Sequence, residues 1–364
     1  MNNYYLTLDV LKLKSVKLIV MWEDQSERIE ELIFLLKEKK SVLMAGAGSS
    51  QCAGYPSWKG LIKNLRNEFH EDLDINFDED ELDIVADEIK NHAESEGRLK
   101  EYYNYIEDTF QPSETHCEIH ENLLQLDFCA VVTTNYDEVL EHAIGGMLSQ
   151  EYGYTPCRPK DLCSDRYYPI IKYLRSISPL KKPNSVLHLH GHYLNPDKII
   201  LTHDDYVSRY GKVIKESIES AEGEERLAVK VPLGEIHTKV IWSLLTSYNF
   251  VFVGFSMADP FFLKILEIAN FDFDYPTSMH HAIMPFSTDE DKERASILLE
   301  PRGVKPIFYY VPENSSDHSL LENLIHELVS KLEETGESEE GTVIEEETGE
   351  DPSLDSVSNN LLEY

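Results

Sequence analysis

A chain of 364 residues that is 41% apolar, with 20 Tyr and 14 Phe, carries enough apolar side chain for one large core, with or without an inserted subdomain. Its 33 basic and 67 acidic residues give a net charge of −34, which opposes a phosphate backbone and argues against direct nucleic-acid binding. Five cysteines, Cys52, Cys117, Cys129, Cys157 and Cys163, show no Cys-x-x-Cys spacing, as expected of reduced thiols in a cytoplasmic protein without a disulfide framework. Lys12, Lys14 and Lys17 break up the apolar N-terminus and no small-residue cleavage site follows, so it reads as neither a signal peptide nor a membrane span.

Asp24 and Glu27 form a capping box ahead of Ile29, Leu32, Ile33, Leu35 and Leu36, which share one helical face; residues 1–24 are set apart as an extension. Val42 to Ala45 is a continuous apolar run, the mark of a buried parallel strand, and it ends in Gly46-Ala47-Gly48-Ser49-Ser50. Such a turn lets main-chain N–H groups approach a pyrophosphate, although a Gly-x-Gly after a strand is also an ordinary tight turn. Gly54-Tyr55-Pro56-Ser57-Trp58 follows, then a helix over Leu61 to Phe69. Residues 71–107 are acidic, with Leu82, Ile84, Val85 and Ile89 at helical spacing, and read as a solvated helical insert.

Phe128 to Val132 reads as the next strand, ending in Thr133-Thr134-Asn135-Tyr136-Asp137, and Glu138 to Met147 as a helix. Gln150 to Ser185 has no clear period and reads as an irregular excursion. Val186 to His190 and Ile199 to Thr202 are expected as short strands around a turn at Asn195-Pro196-Asp197. A polar helical region, Asp204 to Glu225, precedes a helix over Glu235 to Ser247. Phe250 to Val253 is the clearest buried strand, closed by Gly254-Phe255-Ser256. Strands at His281 to Pro285 and Val304 to Tyr310 flank a helix at Asp289 to Leu299, and a last helix runs from Asp317 to Leu332. From Glu333 to Tyr364 there are 12 acidic residues and no Lys or Arg, an acidic tail expected to be disordered.

Alternating strands and helices predict an α/β fold, a doubly wound Rossmann-like parallel sheet over residues 25–332, with helical insertions around 71–125 and 145–240. Its ligand site lies at the carboxyl ends of the strands, where every motif above falls.

Gly46-Ala47-Gly48-x-Ser50, Gly54-x-Pro56, Thr133-Thr134-Asn135-Tyr136-Asp137, His188-Leu189-His190-Gly191 and Val253-Gly254-Phe255-Ser256, in this order, resemble the sirtuin family, and specifically the divergent bacterial sirtuin-like NAD hydrolases of antiphage defence. The resemblance spans roughly residues 25–310. It implies NAD as substrate, cleaved to nicotinamide and ADP-ribose. Breaking the bond from ribose to base builds positive charge on the sugar, as in glycoside chemistry. Gly46, Ala47, Gly48 and Ser50 would then form the phosphate cradle. Asn135 would grip the ribose or order the water, its alternative being an Asx turn. Asp137 matches the acid that holds the nicotinamide carboxamide, or is a helix N-cap.

Pro56 and Trp58 would border the reacting ring, though Trp58 reads equally as a core aromatic, and Thr134 closes its strand beside Asn135. Gly254 and Ser256 match the loop on the adenosine side. Of His188, His190 and His192, the resemblance selects His190 as the base. Alternation would place His188 and His190 on one face of a strand, a weak metal pair with no third ligand evident. Pro56-Ser57-Trp58 stands where deacylating sirtuins have Pro-Asp-Phe-Arg, and two Cys-x-x-Cys pairs are missing, so no zinc is expected and water is the expected acceptor. The competing readings are an NAD-dependent protein deacylase or ADP-ribosyltransferase, and a nucleotide sensor without catalysis. The resemblance further implies control by homo-oligomerisation or by a separate protein, a HerA-type ATPase or an Argonaute-like partner.

Overall fold

Val42, Leu43, Met44 and Ala45 have no polar side chain to keep in water, and in the computed structural model of the protein they lie fully buried at the centre of the main sheet. The structure describes residues 25–340, except 78–80, 113–115, 154–156, 165–166, 212–213, 220–224, 231–234, 258, 273–279, 314 and 316–317. The expected extension over residues 1–24 and the tail beyond residue 340 lie outside the described residues.

Seven strands form that sheet: β1 (Ser41–Ala45), β2 (Ala130–Thr133), β3 (Arg158–Asp161), β4 (Ser185–His188), β7 (Asn249–Val253), β8 (His280–Phe286) and β9 (Val304–Tyr310). Two more, β5 (Ile214–Glu219) and β6 (Glu225–Lys230), pair as an antiparallel hairpin. The order in the main sheet is β3-β4-β2-β1-β7-β8-β9, and every pairing in it is parallel. Its helices lie on both faces, the doubly wound Rossmann-like arrangement. The chain leaves β1 toward β2 on one side and later returns to β7 on the other, so a crevice opens where the winding reverses.

Side-chain alternation along β1 feeds two cores. Leu43 and Ala45 face the layer of α1 (Ser26–Lys37), α6 (Glu118–Leu124), α7 (Val139–Tyr152) and α13 (Ser319–Glu340). Val42 and Met44 face α8 (Tyr167–Ser176), α9 (His203–Tyr210), α10 (Ile236–Ser247) and α11 (Pro260–Asp272). The remaining helices are the single turn α2 (Ala47–Ser50), α3 (Trp58–Phe69), α4 (Leu82–Ser95), α5 (Leu99–Phe110) and α12 (Asp289–Leu299). Full burial of one such aliphatic side chain contributes about 1.5–3 kcal/mol.

Several expectations change. The helices of 71–125 are present, but they are more than a solvated insert: Leu65, Ile89, Tyr102 and Ile106 build a third core with Tyr136 and Tyr193, and this unit walls the crevice. The 145–240 region is not simply helical, because β3 and β4 belong to the main sheet. Ile199 to Thr202 forms no strand; the Ile200 N–H bonds the His190 carbonyl at 2.8 Å and Thr202 becomes the N-cap of α9. That helix stops at Tyr210, far short of 225, because Gly211 takes a left-handed φ of 82° and the chain turns into the β5–β6 hairpin. At the amino end, α1 starts at Ser26 with Gln25 in the N-cap position and no side-chain cap, and Asp24, expected to open a capping box, lies outside the described residues. At the other end α13 continues to Glu340, and residues 333–340, assigned to the disordered tail, are helical. The thiols are not all free either: Cys52 and Cys117 are joined as a disulfide.

Among the described residues no helix is long and apolar enough to cross a membrane.

Candidate active site

The loops after β1, β2, β4 and β7 meet at the crevice. Gly46 N–H bonds the Val253 carbonyl at 3.0 Å and Gly48 N–H the Gly254 carbonyl at 2.8 Å. Side chains here would collide: a Cβ on Gly46 would come within 2.5 Å of the Phe255 Cα, and one on Gly254, whose φ is +64°, within 2.2 Å of the Ser49 nitrogen. The glycines are therefore required first by the close packing of two loops, and that packing shapes the cleft floor. The sequence motif alone left a phosphate cradle and an ordinary tight turn both open.

A cleft of about 730 Å³ opens above this floor, and its lining includes Ala47, Gly48, Pro56, Trp58, Thr134, Asn135, Asp137, His190, Gly254 and Ser256. Two residues assigned to the site stand behind the lining. Gly46 supplies backbone to the loop contact, and Ser50 is buried beneath, where its hydroxyl accepts from Asn135 Nδ2 at 2.9 Å and donates to Asp137 Oδ1 at 3.2 Å.

Asn135 is fixed on one side and open on the other. Its Nδ2 also donates to the Gly46 carbonyl at 3.1 Å, and its N–H donates to Thr133 Oγ1 at 3.0 Å. Its buried Oδ1 has no hydrogen-bond partner among the described residues. A buried acceptor left open is costly, and a ribose hydroxyl or a water would satisfy it. Asp137 Oδ1 accepts from the Val139 N–H at 3.1 Å, two residues on, and the N-cap of α7 is Glu138, so Asp137 stands on the cleft wall one residue before the cap and is not the N-cap expected. Burial pushes this carboxyl up.

The histidines do not pair as strand alternation suggested. β4 ends at His188, and the chain turns at Gly191, where φ is +92°. His188 and His192 contact one another edge to face at 4.8 Å, whereas His190 turns toward Tyr206 and Tyr210. His188 Nδ1 donates to the Asn135 carbonyl at 2.8 Å and Nε2 lies 2.7 Å from Glu141 Oε1. Burial works against its charge, but Glu141 outweighs it and the net shift of His188 is upward. His192 Nε2 lies 3.2 Å from Glu138 Oε1, and that contact pulls the Glu138 carboxyl down.

His190 is different. Its Nε2 is 2.9 Å from the Tyr210 hydroxyl and 3.5 Å from Asp259 Oδ2. Burial drives its imidazolium far down, so the ring is neutral, and keeps the Tyr210 hydroxyl protonated. Asp259 is raised to about 6, chiefly by burial, against the N–H groups of Phe262 and Phe261 that its Oδ1 accepts. A neutral imidazole facing a cleft can take a proton.

Tyr206, Tyr210, Asp259 and Glu141 were not anticipated. Asp259-Pro260 carries a helix-start signal that could have flagged the first turn of α11, and Tyr206 and Tyr210 sit four apart on one face of α9. Nothing in the sequence pairs Glu141 with His188.

Fold and cleft together define a protein of the Rossmann-like α/β class with a cleft at the carboxyl ends of its strands. Residues 129–307 match the SIR2-like domain family. Among curated proteins the chain is similar to the NAD(+) hydrolase ThsA of Bacillus cereus, 25% identical over 68% of this chain and 43% of the relative, and to the NAD(+) hydrolase ThsA of Acinetobacter baumannii, 26% identical over 74% and 48%. It is also similar to defense-associated sirtuin 2 of Bacillus subtilis, 24% identical over 54% of this chain and 18% of that protein. The chain thus spans less than half the length of these relatives.

Proposed function

We propose that this protein hydrolyses NAD to nicotinamide and ADP-ribose as the effector of an antiphage system in the bacterial cytoplasm. The observation that carries the reading is the convergence of the glycine loop, the open Oδ1 of Asn135 and the neutral His190 on one cleft. The curated relatives, two of them named as NAD(+) hydrolases, support it.

In this reading the pyrophosphate rests on the loop of Ala47 and Gly48, and the adenosine side lies toward Gly254 and Ser256. Asp137 meets the carboxamide, and Trp58 and Pro56 border the nicotinamide. The bond from C1′ to the nicotinamide nitrogen breaks with its electron pair going to the ring, which leaves neutral. Water held by Asn135 Oδ1 bonds to C1′, and its proton passes to His190. Asp259, 3.5 Å from Nε2, offsets the charge that this proton brings to the ring.

Restraint of such an activity is assigned to assembly with further copies of the chain or with a separate protein, such as a HerA-type ATPase or an Argonaute-like partner, and light scattering of the purified protein tests the first. Incubation with NAD followed by chromatography tests the chemistry. Nicotinamide and free ADP-ribose are expected. Transfer of ADP-ribose to an acyl group or a protein would replace water as the acceptor.

A further inference from the structure

Cys52 lies in the turn Gln51–Ala53 that continues directly from α2, and Cys117 immediately precedes α6. The two are 65 residues apart in sequence, their Cα atoms are 6.3 Å apart, and they are joined as a disulfide. Cys52 is exposed and Cys117 partly so, which makes the pair reachable from solvent. Beside them is the buried His120, whose Nδ1 accepts from the Cys117 N–H at 3.0 Å. The two sulfurs and a His120 ring nitrogen lie within 4.8 Å of one another. Burial lowers His120, so the ring beside the two sulfurs is neutral.

The position couples this pair to the cleft. Gln51, next to Cys52, lines the cleft, and Ser50 beside it bonds both Asn135 and Asp137. A bond from Cys52 to Cys117 ties the glycine loop to α6, whereas two thiols leave it held by its hydrogen bonds and its packing against the Gly254 loop.

We propose that Cys52 and Cys117 are a reversible oxidative modification site, with hydrogen peroxide as the oxidant, that fixes the glycine loop when bonded. Disulfides of cytoplasmic proteins are in general transient and redox-sensing. In the forward step the Cys52 thiol gives its proton to solvent and the thiolate sulfur attacks a peroxide oxygen. The O–O bond breaks, leaving a sulfenic acid and releasing water. The Cys117 thiol then gives up its proton, its sulfur attacks the Cys52 sulfur, the S–S bond forms as the S–O bond breaks, and the hydroxide takes up that proton and leaves as a second water. Two thiols lose two electrons and peroxide gains them; a dithiol reductant reverses the change. The effect on nucleotide rests on the cradle reading of the loop; the modification site itself does not.

The test compares the full chain reduced with dithiothreitol and then treated with hydrogen peroxide. Peptide mapping without reductant should find the Cys52 and Cys117 peptides linked, lighter by two hydrogens, in the oxidised sample only. Hydrogen exchange across residues 46–54 should slow on oxidation, and KM for NAD should fall several-fold at nearly constant kcat. Cys52→Ser and Cys117→Ser should each behave as the reduced wild type and ignore peroxide. Separate unlinked peptides after peroxide, unchanged exchange in the linked form, or one zinc ion per chain protecting both thiols would each overturn the proposal. Should NAD remain intact in both states, the linked peptide and the exchange rates still decide the modification site, and the failure belongs to the hydrolase reading alone.

Discussion

Two sides of the β4 turn carry the same residue type in opposite states. On one side His188 and His192 sit against carboxylates, Glu141 and Glu138, and His188 also anchors the Asn135 backbone. On the other, His190 sits between tyrosines, is held neutral by burial, and has a carboxyl group at 3.5 Å with no closer ionised partner. Buried ion pairs hold a structure in place because breaking one strands a charge. The neutral imidazole of His190 has an open route to the cleft, and because burial disfavours its charged form, a proton placed on it needs a counter-charge such as Asp259 beside it. Histidines two residues apart are thus divided by what each ring touches into a scaffold side and a side that the proposed function makes reactive.

The largest effect that would break this division comes from Asn135, which joins the two sides. Asn135→Ala is expected to lower kcat/KM for NAD by at least about 10²-fold, since in the proposed reading it removes the group that positions ribose and water, while leaving the far-ultraviolet circular dichroism unchanged. Next comes the scaffold pair. Glu141→Ala should destabilise the fold by about 3–5 kcal/mol in urea titration by leaving His188 without its buried partner, and a change under about 1 kcal/mol would show that the pair holds little.

Titration sharpens the contrast. His188 has a folded pKa above its ordinary 6.5, so its stabilising contribution is complete below that value and is lost as pH rises through the higher folded one. Urea midpoints should fall as pH rises through that folded value, and His188→Ala should flatten the profile. On the reactive side Asp259 takes a proton as pH falls through about 6. Between pH 7 and pH 5, kcat/KM should therefore drop roughly tenfold, and Asp259→Asn should remove that limb. Smallest of all is Glu138→Gln, at the half-buried end of the scaffold, for which a loss of about 1 kcal/mol or less is expected with turnover unchanged.

How far the sequence reveals this follows from local chemistry. β7, Asn249–Val253, is legible because a buried parallel strand must be apolar on both faces. β3 is not, since Arg158-Pro159-Lys160-Asp161 forms an edge strand with polar side chains that only pairing with β4 identifies. The glycine loop, Asn135 and His190 were legible as motifs, and they do line or border one cleft. Their roles were not: Asp259, Tyr206 and Tyr210 reach His190 through tertiary packing, and the sorting of the three histidines depends on a turn at Gly191 that strand alternation misreads.

The division is tested most directly by measuring NAD cleavage and thermal unfolding on His190→Ala and His188→Ala side by side, with rates corrected for the folded fraction. Loss of turnover by about 10²–10⁴-fold at near wild-type Tm is expected for His190→Ala, and a lowered Tm with most of the turnover per folded molecule for His188→Ala. A His190→Ala protein that cleaves NAD at the wild-type rate, beside an inactive but fully stable His188→Ala protein, would contradict the assignment.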